Sequence, residues 1–102
     1  FRGMISTIYC DLNNSIKKAD IINLLKELDK INPFLKYIEN DETLDFFSIQ
    51  NSNYCKIKVF DHYSDDKLII VSAIDNLIKG AAGQAVQCFN IAENIEETVS
   101  LL

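Results

Sequence analysis

The chain has 102 residues, enough to enclose one hydrophobic core, and a second domain need not be sought. Hydrophobic residues make up 48% and charged residues 25%, the proportions of a folded globular domain and not of a disordered one. The net charge of -5 repels nucleic-acid phosphates and anionic lipid, and Lys17-Lys18 is the only basic pair, so neither is an expected partner.

The longest apolar runs, such as residues 68–71, are far too short to cross a bilayer, and Phe1-Arg2-Gly3 has neither the charged start nor the cleavage site of a secretory leader. Cys10, Cys55 and Cys88 are odd in number and widely spaced, which predicts unpaired thiols in a reducing cytoplasm. With no CxxC spacing and a single histidine, a zinc site is not expected. The chain opens without methionine directly on a strand-like stretch, which reads as a piece of a longer protein.

Residues 4–12 (MISTIYCDL) are rich in β-branched and aromatic side chains and predict a strand, closed by the turn residues Asn13, Asn14 and Ser15. A helix follows over residues 18–31, with Ile21, Leu24, Leu25, Leu28 and Ile31 at helical spacing and Lys26, Glu27, Asp29 and Lys30 left to water. Pro33 stops it, since proline lacks an N–H and disfavours helical geometry at Asn32. Residues 34–38 predict a short strand, residues 39–42 an acidic loop, and residues 46–50 an extended segment.

Residues 54–60 alternate, with Cys55, Ile57 and Val59 on one face and Lys56 and Lys58 on the other. After a polar bend, residues 67–74 form a continuous apolar run that predicts a strand buried on both faces and paired as a hairpin with the one before. The last element starts at Asp75 or Asn76, either of which can cap a helix, and carries Leu77, Ile78, Ala81, Ala82, Ala85, Val86 and Phe89 as its apolar stripe. Asn94 stands where the helix ends, because asparagine tolerates the left-handed conformation. The element order predicts an α+β domain: a mostly antiparallel sheet with helices packed on one face.

No catalytic constellation can be assembled from these residues. Cys10 precedes the anion Asp11, Cys55 lies within an alternating strand and Cys88 lies late in a helix, so all three read as small buried hydrophobes. His62 reads as a surface histidine, and Asp65-Asp66 and Glu96-Glu97 as solvated charge. The segment 75–87 (DNLIKGAAGQAVQ) is different. Gly80 and Gly83 each cost a helix about 1 kcal/mol relative to alanine, so something must approach closely there, whether another backbone or a ligand.

Residues 73–87 (AIDNLIKGAAGQAVQ) resemble the C-terminal signature of N-acetyl-γ-glutamyl-phosphate reductases, relatives of aspartate-semialdehyde dehydrogenase. Three further segments agree in order: Arg2-Gly3-Met4 opening the first strand, Asn32-Pro33-Phe34 ending the helix, and Ser52-Asn53-Tyr54-Cys55 before the alternating strand. The resemblance covers nearly the whole chain. Asn51 stands where the family usually has glycine, and Ala92-Glu93-Asn94 replaces a Met-Phe-Gly pattern.

The resemblance implies a single domain over residues 1–102 with the fold of a glyceraldehyde-3-phosphate-dehydrogenase-like C-terminal domain. The parent implied is a cytoplasmic NADP-dependent reductase of arginine biosynthesis, which turns an acyl phosphate into an aldehyde through a cysteine thioester. The family's nucleophilic cysteine, basic histidine and glycine-rich nucleotide loop have no counterpart here, so these residues alone are expected to be inactive. Asn76 is expected to meet the nicotinamide amide of NADP, with Lys79 and Gly80 in the same neighbourhood. The implied partners are the protein's own nucleotide-binding half and a second subunit on the uncovered sheet face. Rival readings are an aspartate-semialdehyde-dehydrogenase-like domain, a stand-alone amino-acid-binding regulatory module and a pure oligomerisation domain.

Overall fold

Four strands form one mixed sheet whose two faces are covered differently in the computed structural model, which describes residues 2–102. β1 (Met4–Asp11) pairs antiparallel with β4 (Lys67–Ile74), and β4 pairs antiparallel with β3 (Cys55–Asp61), forming the expected hairpin. The short β2 (Leu35–Tyr37) adds parallel to β3, so the order is β1-β4-β3-β2. Directly opposed residues share a face. Cys10 with Leu68 and Val59 with Ile70 therefore lie on one side, where they meet Ile21, Ile22 and Leu25 of α1 (Lys18–Ile31).

α1 has the predicted bounds, and its start is closed by the Asp20 carboxylate, which accepts the Lys17 N–H at 2.8 Å. Its buried stripe is narrower than the spacing suggests. Leu24 is 55% exposed and Ile31 75%, because a three-residue β2 gives the sheet no width to reach them. Asp29, expected in water, instead accepts the Tyr37 N–H at 3.1 Å and the Lys36 ammonium at 3.2 Å, tying the helix to the open edge of β2.

The opposite sheet face is half covered. The segment carrying Asn40, Glu42 and Ser48 crosses it, with Lys58 buried beneath and donating to the carbonyls of Asn40 and Glu42. Lys56 donates to the Ser48 hydroxyl at 2.6 Å. Within this segment Phe47–Ile49 is a turn of 3-10 helix and not the extended stretch expected, since the Asp45 carboxylate takes the Phe47 N–H and starts a turn. Over β1 this face is left open by the described residues: Ile5 and Tyr9 are exposed, and Ile69 and Val71 beside them are only half-buried. β4 is therefore not buried on both faces throughout; Leu68 and Ala73 alone are fully enclosed, one on each side.

After β4 the chain makes a π-helical turn (Ile78–Ala82) and enters α2 (Gly83–Ala92). Asn94 takes φ 55 beyond it, as expected of an asparagine at a helix end. No helix among the described residues is long and apolar enough to cross a membrane.

Candidate functional site

β4 ends by delivering Asp75 into the interior, where its side chain is 0% exposed. One carboxylate oxygen, Oδ1, accepts the N–H groups of Leu77 at 2.9 Å and Ile78 at 3.1 Å, an Asx-type cap on the turn that follows. The other, Oδ2, accepts the Asn51 N–H at 2.7 Å, and the Arg2 Nε lies 2.9 Å away. Arg2 also donates from Nη2 to the Asn51 Oδ1 at 2.7 Å, which closes a three-residue ring. Burial alone would push the Asp75 carboxyl up; the Arg2 guanidinium and the three backbone N–H groups outweigh it and hold the group at about 2. Asn51 joins the ring with φ 60, a left-handed conformation in which asparagine is enriched among non-glycine residues.

The turn has five-residue spacing. The Gly80 N–H reaches the Asp75 carbonyl at 3.0 Å, and the Ala82 N–H reaches that of Leu77 at 3.2 Å. Single π turns are frequent at functional sites. Asn76, half-buried, stands just before this one; its Oδ1 is enclosed and, like the Asn53 Oδ1, has no hydrogen-bond partner among the described residues. A buried amide oxygen without a donor costs about 1–3 kcal/mol.

Gly80 is exposed and stands beside it. A Cβ built there would sit 3.9 Å from the Asn76 Cβ and 3.4 Å from the Ile74 Cδ1, ordinary contacts. Lys79 lies on the same turn, but its ammonium is hydrogen-bonded to the Gln87 Oε1 at 2.7 Å and rests 5.7 Å from the Phe34 ring centre. Asn76 and Gly80 are thus brought together, while the Lys79 head group is directed to a different cluster.

That cluster inverts the polarity of α2. Its buried residues are Gly83, Gln87 and Asn90, while Val86, Phe89 and Ile91 are exposed. Gln87 accepts from Asn53 at 2.9 Å and donates to the Glu97 carboxylate at 2.6 Å. Asn90 donates to the carbonyls of Glu97 and Val99. Glu97 is therefore not simply solvated charge. Gly83 is needed here: a Cβ would fall 2.3 Å from the Asn53 Oδ1 and 2.8 Å from the Ile78 carbonyl oxygen. Val86 and Phe89 of the expected apolar stripe face outward, and a cleft of about 180 Å³ opens between Phe34, Cys55, Lys79 and Glu97.

Asn53, Gln87 and Glu97 were not singled out by the sequence pattern as site residues. The signal was there in Gly83, Gln87 and Asn90, which repeat at helical spacing opposite the apolar stripe.

The cysteines depart from expectation, with Cys10 and Cys55 only half-buried and Cys88 exposed because it rides the outer side of α2. Burial pushes the Cys55 thiol up, against the pull of Lys79, which disfavours the reactive thiolate. No group of three or more His, Cys, Asp or Glu side chains among the described residues could hold a metal ion.

Comparison with known proteins matches residues 1–76 to the family model described as "Semialdehyde dehydrogenase, dimerisation domain". The chain is 44% identical over 101 residues to an N-acetyl-gamma-glutamyl-phosphate reductase of Brachyspira hyodysenteriae, covering 98% of this chain and 29% of that protein. It is 42% identical to the protein of the same name from Ehrlichia ruminantium, covering 99% and 29%. It is 39% identical to that from Methanosphaera stadtmanae, covering 98% and 30%. The chain spans less than a third of the length of these curated relatives, and the alignments extend through the π turn and α2, past the end of the family match. With its four-stranded mixed sheet, its helix-covered face and this match over residues 1–76, the chain belongs to the semialdehyde dehydrogenase dimerisation-domain family.

Proposed function

We propose that this chain is the C-terminal dimerisation-domain portion of a cytoplasmic NADP-dependent N-acetyl-γ-glutamyl-phosphate reductase. In that enzyme NADPH, when bound, supplies the hydride that reduces the acyl group. This portion contributes the wall of the cofactor site, and the nucleophilic cysteine and basic histidine come from other parts of the protein. The names of the aligned relatives favour this substrate over aspartyl phosphate.

One observation carries the proposal: the enclosed, partnerless Oδ1 of Asn76 next to an exposed glycine that the fold itself does not require. Brought to the surface by a turn of this half-buried side chain, the amide oxygen suits the N–H donors of a nicotinamide carboxamide, and Gly80 leaves room for a flat ring to approach. Lys79 borders the same turn, but its bond to Gln87 suits it to bracing α2. The outward apolar side of α2, with Val86 and Phe89, suits burial against the nucleotide-binding half. The uncovered β1 side of the sheet, with Ile5 and Tyr9, suits an isologous contact with a second subunit.

The test is Asn76→Ala in the full-length enzyme, followed by NADPH titration and steady-state kinetics. A rise of about tenfold in the dissociation constant for NADPH, the loss of one good hydrogen bond, is expected. Unchanged cofactor affinity and turnover would reject the assignment.

A further inference from the structure

No hydrogen bond among the described residues holds the Asn76 oxygen, so its placement depends on the packing around it and on the backbone that carries it. That backbone is held from both sides by one residue. The Asp75 carboxylate takes the N–H groups of Leu77 and Ile78, so Asn76 is the residue enclosed by the resulting ring. The Asp75 carbonyl takes the Gly80 N–H, which fixes the far side of the same turn.

Asp75 in turn is anchored outside its own segment, by Arg2 from the start of β1 and by the left-handed Asn51 before β3. The Arg2 guanidinium is placed so that one side chain serves both, Nε toward Asp75 and Nη2 toward Asn51. A planar fork can do this; a lysine ammonium on a flexible stem offers no such fixed pair of donors.

We propose that Arg2 and Asp75 are positioning residues for the Asn76 acceptor: the Arg2–Asp75–Asn51 ring fixes the turn that carries this carboxamide and so aims it at the nicotinamide half of the cofactor. The proposal rests on the cofactor role of Asn76 given above and assigns Arg2, which precedes β1 and lies 73 residues before Asp75, to the same site. It separates from a merely structural clamp by its dependence on Asn76. A clamp that only stabilised the fold would weaken NADPH binding whether or not Asn76 is present, whereas an aiming device loses its effect once the carboxamide is gone.

The experiment uses the full-length enzyme and calorimetric titration with two probes: NADPH, and 2′,5′-ADP, which lacks the nicotinamide half. Arg2→Ala is expected to weaken NADPH about tenfold while 2′,5′-ADP stays within about twofold, and Arg2→Lys to fall between wild type and Arg2→Ala. The double variant Arg2→Ala/Asn76→Ala is expected to bind NADPH no more weakly than Asn76→Ala alone, because Arg2 acts through Asn76.

Full additivity of the two substitutions, equal losses for both probes, or unchanged NADPH affinity in Arg2→Ala would overturn the proposal. If Arg2→Ala does not fold, Arg2→Lys is read by the same probes and the same cycle, and an NADPH affinity equal to wild type sinks it. Asn76→Ala binding NADPH like wild type would instead sink the assignment of the site itself, whatever Arg2 does.

Discussion

Gly80 and Gly83 stand three residues apart on one turn of chain, and they are glycine for opposite reasons. At position 83 the fold fills the space a side chain would need, with the Asn53 amide on one side and the Ile78 backbone on the other. At position 80 the space is open, and a methyl group would make only ordinary contacts. A glycine that costs a helix about 1 kcal/mol and is not repaid inside the domain points to a demand from outside it. The neighbouring polar groups differ too: Gln87 is bonded through both its oxygen and its nitrogen, whereas the side-chain oxygens of Asn76 and Asn53 meet no donor among the described residues. One half of this corner locks α2 in place, and the other half is the part proposed to meet the cofactor.

The contrast can be broken most forcefully at Gly83. Gly83→Ala drives a Cβ into backbone, and urea unfolding of this chain should register a loss of about 3 kcal/mol. An alanine accommodated within about 0.5 kcal/mol would mean that α2 is not locked there. Next in size is Asn53→Ala, which removes a buried donor to Gln87 and should cost about 2 kcal/mol by the same measurement.

Acid tests the anchor of the turn. The folded-state carboxyl of Asp75 titrates at about 2, below its ordinary value of 3.8, so the unfolded chain takes up the proton first. Its contribution is complete above pH 4 and drains away as the pH falls toward 2. Asp75→Asn should be less stable at neutral pH and show a flatter decline across that window when unfolding is followed by circular dichroism.

The smallest effect belongs to the outer side of α2. Phe89→Ser in this chain should shift stability by no more than about 0.5 kcal/mol, since the ring is already exposed. The same change in the full-length protein should weaken the contact between its halves, read as earlier proteolysis between them.

Much of this fold could be anticipated from period and punctuation. β1, α1, the β3–β4 hairpin and the stop at Pro33 follow from alternation, helical spacing and proline chemistry, and Asn94 marks the end of α2 by its tolerance of positive φ. What periodicity cannot tell is which side of a stripe faces inward. In α2 the interior took Gly83, Gln87 and Asn90, because Asn53 before β3 and Glu97 beyond the helix supply the partners of Gln87.

Long-range polar pairing hid the other misses too. Asp29 caps the edge of β2, Lys58 is held by carbonyls of a crossing loop, and Asp75 is both cap and ion-pair partner of Arg2. Of the site, Asn76 and Gly80 were legible from the resemblance and lie side by side; Lys79 lies on the same turn with its charge engaged elsewhere. The π turn escaped because a run of small residues, Gly80 to Gly83, carries no side-chain pattern to distinguish five-residue from four-residue spacing.

The most direct measurement is Gly80→Ala made twice, once in this chain and once in the full-length enzyme. Urea unfolding of the chain should show a gain of about 1 kcal/mol, since a helical glycine has been replaced in open space, while NADPH titration of the enzyme should show affinity reduced by about tenfold. A full-length variant that binds NADPH as tightly as wild type would contradict the account, because the room beside Asn76 would then serve no cofactor.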